Sequence, residues 1–175
     1  QRQRVLMARA ISLEPKLIVA DEPVSMIDVS LRLSLLNLMK KLNEQLNMSF
    51  VYISHDLSTT RYIAHSGRVA VMYLGEIVEL GEIGNVIKNP RHPYTRALIK
   101  AVPIPDPDYA GFEDLPLKSM ELGSLENRSE GCSFYDRCLY SCQECKKKQA
   151  FVKTSTAEVL CCNLGDVPDD TLIKD

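Results

Sequence analysis

An apolar run that ends in two adjacent acidic residues constrains the fold of this chain most strongly. Leu17-Ile18-Val19-Ala20 is apolar throughout, which predicts a strand buried on both faces, as in a parallel α/β sheet. Asp21 and Glu22 follow at the carboxyl end of this strand, where open α/β sheets bind their ligands. Because successive strand side chains point to opposite faces, we expect the two carboxylates to have different roles. Such a pair suits a nucleotide site, with one carboxylate holding hydrated magnesium and the other orienting the attacking water. Taken alone, Asp-Glu-Pro also fits a simple turn after a strand.

Residues 1–74 alternate between helix and strand patterns. The basic amphipathic residues 1–13 predict a helix. Residues 50–54 are apolar and predict a second strand, which ends at His55. Between the two strands, apolar residues recur with helical spacing and predict a helix that packs this stripe against the sheet. The stripe consists of Leu31, Leu35, Leu38, Met39, Leu42 and Leu46.

A hairpin and two helices are predicted after residue 68. Residues 69–73 and 77–80 form its arms, with the turn at Gly75-Glu76, and a short helix follows at 84–88. Pro93 can open a further helix, and the prolines from Pro103 onward stop it and stiffen a linker. We interpret His92 and Tyr94 as a helix cap and a packing anchor.

All six cysteines lie in the last part of the chain, at 132, 138, 142, 145, 161 and 162. Clustered thiolates of this kind fit a tetrahedral sulfur site, which holds zinc or an iron–sulfur cluster. Cys142-Gln143-Glu144-Cys145 has the spacing of a zinc-gripping pair, so Cys142 can replace Cys145 or Cys138 as a ligand. Cys161 and Cys162 are adjacent, so either of them can be the last ligand. Inert buried cysteines are the alternative.

The order of these motifs resembles the ATP-binding subunit of ABC transporters. The D-loop of that family usually reads Ser-Ala-Leu-Asp, and this chain has Ser25-Met26-Ile27-Asp28, which keeps an apolar pair between polar ends. The matching positions are Gln1 for the last residue of the signature motif, Leu17 to Asp21 for the Walker B strand, Glu22 for the catalytic glutamate, Ser25 to Asp28 for the D-loop and His55 for the switch histidine.

The resemblance implies a role for each of these residues. Two subunits would sandwich ATP, with Gln1 contacting the nucleotide held by the partner and residues 25–28 communicating across the dimer. Asp21 would bind Mg²⁺ through water, Glu22 would activate the attacking water, and His55 would hold the γ-phosphate.

No Gly-x-x-x-x-Gly-Lys-Ser/Thr loop occurs in the 175 residues. We therefore expect a chain that represents the C-terminal part of such a subunit and does not hydrolyse ATP by itself. We also expect its sheet to expose apolar faces that need covering.

Two later segments narrow the resemblance to the oligopeptide and dipeptide importers. These segments are His92-Pro93-Tyr94-Thr95, with the apolar residues that follow, and the run from Gly131-Cys132 to Cys138. The resemblance implies short peptides as the transported substrate. It also implies a [4Fe–4S] cluster, with zinc as the alternative. The implied ligands are Cys132, Cys138, Cys145 and Cys162, with Cys142 and Cys161 as alternates.

The sequence thus predicts an α/β fold that forms part of the P-loop ABC ATPase fold, followed by a small cysteine-rich extension. The predicted domains are the ATPase part at 1–88, a helix and proline-rich linker at 89–130, and a metal-binding extension at 131–175. The expected partners are a second ATPase subunit, transmembrane permease subunits and, indirectly, a substrate-binding protein. The expected location is the cytoplasmic face of the plasma membrane.

Two other functions stay open at this point. One is a non-transport ABC ATPase that acts on DNA or ribosomes, and the other is a metal-binding redox module. A net charge of −2, from 21 basic and 23 acidic residues, gives no support to nucleic-acid binding.

Overall fold

The computed structural model describes residues 2–25, 27–102, 115–121 and 130–168. The chain divides into two compact units, Gln1–His65 and Ser66–Asp175. The first unit contains a parallel sheet and the second an antiparallel sheet, so the predicted α/β class with parallel strands is confirmed. Within the described ranges, no helix combines the length and the apolar character needed to span a membrane.

The first unit is a strand–helix–strand motif, with one helix before it and one after it in the chain. Its strands pair in parallel along their whole length, from Leu17 opposite Ser49 to Asp21 opposite Ile53. Both strands therefore end at the same edge of the sheet, which places the residues that follow one strand beside those that follow the other. The elements are α1 (Arg2–Ile11), β1 (Leu17–Asp21), α2 (Val29–Leu46), β2 (Ser49–Ile53) and α3 (Leu57–Ile63).

The core of the first unit lies between one face of the sheet and α2. Ile18 and Ala20 are buried in one cluster with Leu35, Leu36 and Met39 of the helix. Asn47 ends α2 with a φ of 52°, and its backbone N–H donates to the Leu42 carbonyl. This left-handed C-cap, which Asn tolerates well, turns the chain back toward β2.

The prediction that β1 is buried on both faces is wrong for this chain. Leu17 and Val19 are exposed, Val19 by 63 %, and Val51 and Ile53 of β2 are exposed on the same face. Only one face of the two-stranded sheet is covered by the described residues, so burial alternates along β1. The expectation of exposed apolar faces is confirmed.

The predicted leucine stripe is correct only in its middle. Leu35 and Met39 are buried, but Leu31, Leu38 and Leu46 are exposed. Leu36, which lies outside the stripe, is almost completely buried. The helix therefore packs a narrower face against the sheet than its apolar residues indicate, because only two strands lie beneath it.

The second unit is built on a four-stranded antiparallel sheet, with the strands in the order β3 (Arg68–Tyr73), β4 (Glu76–Glu82), β6 (Ala157–Val159) and β5 (Val152–Lys153). The predicted hairpin forms its first two strands, and the predicted helices at 84–88 and from Pro93 are both present. The elements are β3 (Arg68–Tyr73), β4 (Glu76–Glu82), α4 (Ile83–Lys88), α5 (Pro93–Lys100), a 3₁₀ helix (Gln143–Lys146), β5 (Val152–Lys153) and β6 (Ala157–Val159).

The hairpin and the cysteine-rich tail share one hydrophobic core. Strand β6 pairs with β4, and Phe134 packs edge-on against Tyr73 and Tyr94 with ring centroids 5.1 and 5.5 Å apart. Phe134 is 1 % exposed. The compact units thus divide the chain differently from the predicted domain ranges 1–88, 89–130 and 131–175, which remain a prediction.

Helix α5 is fixed to the hairpin by buried polar groups. His92 caps the helix, its Nδ1 accepting the Tyr94 backbone N–H at 3.1 Å, as the sequence predicted. The buried Glu79 carboxylate of β4 accepts the backbone N–H groups of Arg91 and His92 at 2.8 and 2.9 Å. These bonds satisfy amides that precede the first turn of the helix and would otherwise be buried without acceptors.

Candidate functional site

Glu22 and His55 meet at the shared end of the two parallel strands. The Nδ1 atom of His55 lies 2.7 Å from Oε1 of Glu22, and the backbone N–H of His55 donates to the same oxygen at 3.1 Å. The imidazole is largely exposed and the carboxylate about one-third exposed. A carboxylate held against a histidine at the end of a strand can orient water or accept its proton.

Glu22 adopts a left-handed backbone conformation, with a φ of 45°. Its N–H donates to the Ile53 carbonyl at 3.0 Å, and its own carbonyl accepts the Ser25 hydroxyl at 3.0 Å. The chain therefore leaves the strand at Glu22, while Asp21 is still a strand residue with an exposed side chain.

The loop at 25–28 leads directly into α2. Asp28 precedes the helix and accepts the Arg32 backbone N–H on its carbonyl at 2.8 Å. Asp56 caps α3, accepting the Ser58 and Thr59 backbone N–H groups at 2.8 and 3.3 Å. Of the predicted site residues, Gln1 lies outside the described residues, as does Met26 within the D-loop motif.

Three cysteine sulfurs come together in the second unit. The Sγ atom of Cys145 lies 3.6 Å from that of Cys142 and 3.5 Å from that of Cys162, and all three lie within 4.8 Å of one another. The predicted ligands Cys145 and Cys162 are thus brought together with Cys142, which was only an alternate. Among the described residues, the other predicted ligands, Cys132 and Cys138, are not members of this group.

The six thiols differ in burial and in pKa. Burial raises the pKa of Cys138 and Cys145 to about 12 and that of Cys161 to about 11. The pKa of Cys142 is lowered, chiefly by hydrogen bonds with the Cys145 side chain and backbone. Cys132 is tied to the group through its backbone N–H, which donates to the Cys145 carbonyl at 2.7 Å.

This donor set fits a thiolate-bound metal. A metal–sulfur distance of about 2.3 Å in a tetrahedron gives sulfur separations of about 3.8 Å, close to the observed spacing. A cation would also offset the cost of ionising the buried thiols. A fourth ligand would come from Cys132, Cys138 or Cys161.

Sequence reasoning missed two residues beside the Glu22–His55 contact and one buried carboxylate in the second unit. Arg32 and Asp56 face each other beside the Glu22–His55 contact, at 3.6 Å. The helix-capping pattern of Asp56 before Leu57-Ser58-Thr59 was a usable signal, but nothing in the sequence marks Arg32. Glu79 reads as an ordinary polar residue of a strand, and only the fold reveals that it is buried.

Comparison with known proteins places these features in one family. Residues 78–145 match the family model described as the C-terminal region of oligopeptide/dipeptide transporters. The oligopeptide transport ATP-binding protein OppF of Escherichia coli is 46% identical over 162 residues, which cover 93% of this chain and 48% of that protein. The dipeptide transport ATP-binding protein DppF of Haemophilus influenzae is 44% identical over 156 residues, 89% of this chain and 46% of that protein.

A third relative gives the same result. The putative oligopeptide transport ATP-binding protein YkfD of Bacillus subtilis is 45% identical over 145 residues, covering 83% of this chain and 44% of that protein. The chain spans about half the length of the curated relatives it matches. On the strength of these matches, together with the ordered motifs and the paired strands that carry them, the chain belongs to the family of ATP-binding subunits of oligopeptide and dipeptide ABC transporters.

Proposed function

We propose that this chain is part of an ATP-hydrolysing subunit that drives the import of short peptides. The observation that carries the proposal is the contact between Glu22 and His55 at the common end of two parallel strands. In an ATP-binding subunit of this family, a carboxylate at that edge can orient the attacking water and a histidine can contact the γ-phosphate.

The geometry supports a division of roles among these residues. Glu22 orients a water molecule and accepts its proton as the oxygen attacks the γ-phosphorus and ADP leaves. The Nδ1 atom of His55 is engaged by Glu22, which leaves Nε2 to contact the γ-phosphate. Asp21 would hold Mg²⁺ through water, and the ion would supply neutralising charge on the phosphates. Ser25 and Asp28 belong to the loop that meets the partner subunit.

The proposed substrate and partners rest on the relatives. Their names describe oligopeptide and dipeptide transport, which supports short peptides as the cargo. The proposed partners are a second ATP-binding subunit, transmembrane permease subunits and, indirectly, a substrate-binding protein, with the protein peripheral on the cytoplasmic face of the plasma membrane. Because the 175 residues contain no phosphate-binding loop, the isolated chain is expected not to hydrolyse ATP.

Replacing Glu22 tests the proposed ATPase activity in the complete subunit that includes the phosphate-binding loop. Glu22→Gln removes the proton acceptor and is expected to lower kcat by about 10²-fold or more while ATP binding is retained. Phosphate release and nucleotide affinity are the measurements. Glu44→Gln, at an exposed glutamate of α2, is the matched control and keeps wild-type activity. An active Glu22→Gln variant would contradict the assigned role.

We also propose a metal centre at the cysteine cluster, held by Cys142, Cys145 and Cys162 with a fourth ligand from Cys132, Cys138 or Cys161. The resemblance to peptide-importer tails supports a [4Fe–4S] cluster. The 3.5–3.6 Å spacing of the sulfurs supports a single zinc ion, because in a cluster each thiolate binds a different iron. The cluster is the proposed occupant and zinc the alternative.

Metal analysis of protein purified without oxygen tests this proposal. About four iron and four acid-labile sulfide per chain, with brown absorbance, are expected for the cluster. One zinc without sulfide would replace the cluster by a structural zinc site. Protein that folds normally and contains neither metal would contradict the metal centre.

A further inference from the structure

Two loops meet beside the proposed catalytic pair, and they are joined at two points. One loop follows β1 and includes residues 22–25 and 27–28, and the other follows β2 and includes residues 54–56. The first link is the bond between Glu22 and His55. The second is an ion pair in which Nη1 of Arg32 lies 3.6 Å from Oδ2 of Asp56.

Arg32 contacts both loops at once. Its Nη2 donates to the Ile27 carbonyl at 3.5 Å, while its Nη1 approaches Asp56. Its Nε is buried and has no hydrogen-bond partner among the residues that the structure describes. The guanidinium therefore spans the gap between the loop at 25–28 and the residue next to His55.

The carboxylate of Asp56 serves two neighbours with different oxygens. Oδ1 accepts the Ser58 and Thr59 backbone N–H groups and so caps α3. Oδ2 is the oxygen that approaches Arg32. The position of Asp56, and with it that of the adjacent His55, thus depends both on α3 and on Arg32.

We propose that Arg32 is a positioning residue, which sets the distance between the loop at 25–28 and His55 through Asp56. This inference rests on the proposed ATPase function. A displacement of residues 25–28 at the subunit interface is carried by the guanidinium to Asp56 and alters the contact of His55 with Glu22. The Arg32–Asp56 ion pair thus links the position of this loop at the subunit interface to the geometry of the Glu22 carboxylate.

The small energy expected of this ion pair fits a role in positioning rather than a role in stability. Both side chains of the ion pair are about one-third exposed, and the charges are 3.6 Å apart. Partly exposed pairs add little to folding, so removal of this one is expected to leave the melting temperature within about 2 °C of wild type. Small misplacements of catalytic groups are costly by comparison, since about 1 Å can lower a rate by up to 10²-fold.

The test compares variants of the complete subunit by kcat, by KM for ATP and by melting temperature. Arg32→Gln removes the charge, Arg32→Lys keeps it, and Asp56→Asn keeps an oxygen for the α3 cap without the charge. Arg61→Gln, at an exposed arginine of α3, is the matched control. Expected results are a kcat about tenfold lower for Arg32→Gln and Asp56→Asn with KM within about twofold, no further loss in the double variant, and substantial recovery in Arg32→Lys.

A second readout does not depend on ATP hydrolysis. Nitrogen-15 spectra of the complete subunit report on the ring of His55, whose signals are assigned with a His55→Gln variant. Arg32→Gln is expected to shift the ring signals of His55 and to leave those of His92 unchanged.

Unchanged His55 signals together with a kcat within twofold of wild type would overturn the proposal. So would equal losses in Arg32→Gln and Arg61→Gln, or losses explained by a lower melting temperature. A wild-type subunit that does not hydrolyse ATP, with shifted His55 signals in Arg32→Gln, would instead overturn the proposed function and leave the coupling between the two loops in place.

Discussion

At the scale of single residues, backbone conformation decides where the side chain of Glu22 can reach. Glu22 has a φ of 45°, in a region that costs an L-residue about 1–3 kcal/mol. Bonds to the Ile53 carbonyl and from Ser25 hold this conformation. The sequence identifies Glu22 as a candidate site residue. It does not predict the left-handed backbone conformation of Glu22, because contacts with the surrounding loops impose that turn.

Gly131 is a position where only glycine fits. A Cβ atom there would collide with the backbone of Cys145 and Lys146. Gly131→Ala is therefore expected to break the bond from Cys132 to the Cys145 carbonyl and to destabilise the protein by about 1–3 kcal/mol. The measurements are the free energy of unfolding, from denaturant titration, and the metal content. Both values are expected to be lower in the variant.

Gly165→Ala is the matched control, since nothing lies within 4 Å of a Cβ atom at Gly165. This position is also close in sequence to Cys162. If both variants unfolded at the same denaturant concentration and held the same metal, the close packing at Gly131 would have no role in the cluster.

At the scale of elements, α5 is held by its ends rather than by helix propensity. Its first turn is capped by His92, and Glu79 holds the two residues before it. Arg96 donates from Nη1 to the Pro168 carbonyl at 2.9 Å, which ties the helix to the end of the described tail. The prediction of a capped helix beginning at Pro93 is confirmed because capping residues act locally, whereas the part of Glu79 depends on strand pairing.

The cap makes stability depend on pH. Burial lowers the pKa of His92 from 6.5 to about 3, so the folded state favours the neutral ring. Between pH 6.5 and 3 the unfolded chain binds more protons at this residue than the folded protein. The His92 contribution is complete above pH 6.5 and is lost progressively as the pH falls toward 3.

His92→Asn provides the comparison, because asparagine can cap the helix but does not titrate. Burial raises the pKa of Glu79, which gives the opposite slope, so only the difference between wild type and variant isolates the histidine. Urea unfolding at pH 4, 5, 6 and 7 is expected to show a flatter acid limb in the variant. Parallel curves would show that His92 is not the titrating group.

At the scale of the whole molecule, the chain consists of two units that differ in how completely their sheets are covered. The second unit closes around Phe134, Val78 and Val159, each no more than 1 % exposed. The first leaves the outer face of its sheet uncovered, with Leu17 and Val19 exposed. The sequence predicted that face as buried, because an apolar run shows that a strand prefers burial but not what covers it.

The sequence by itself determined what local patterns encode. Apolar runs placed both parallel strands, and the residues at their ends identified Glu22 and His55. The Pro93 start and the His92 cap of α5 are equally local. Motif order carried the family, which the comparisons confirmed.

Only the tertiary structure decided which distant residues meet. It brought Cys142, rather than Cys132 or Cys138, into the sulfur group with Cys145 and Cys162. It also buried Glu79 under α5 and set Arg32 against Asp56. These contacts join residues far apart in the chain, and their partners are chosen by strand pairing and core packing, which no local spacing records.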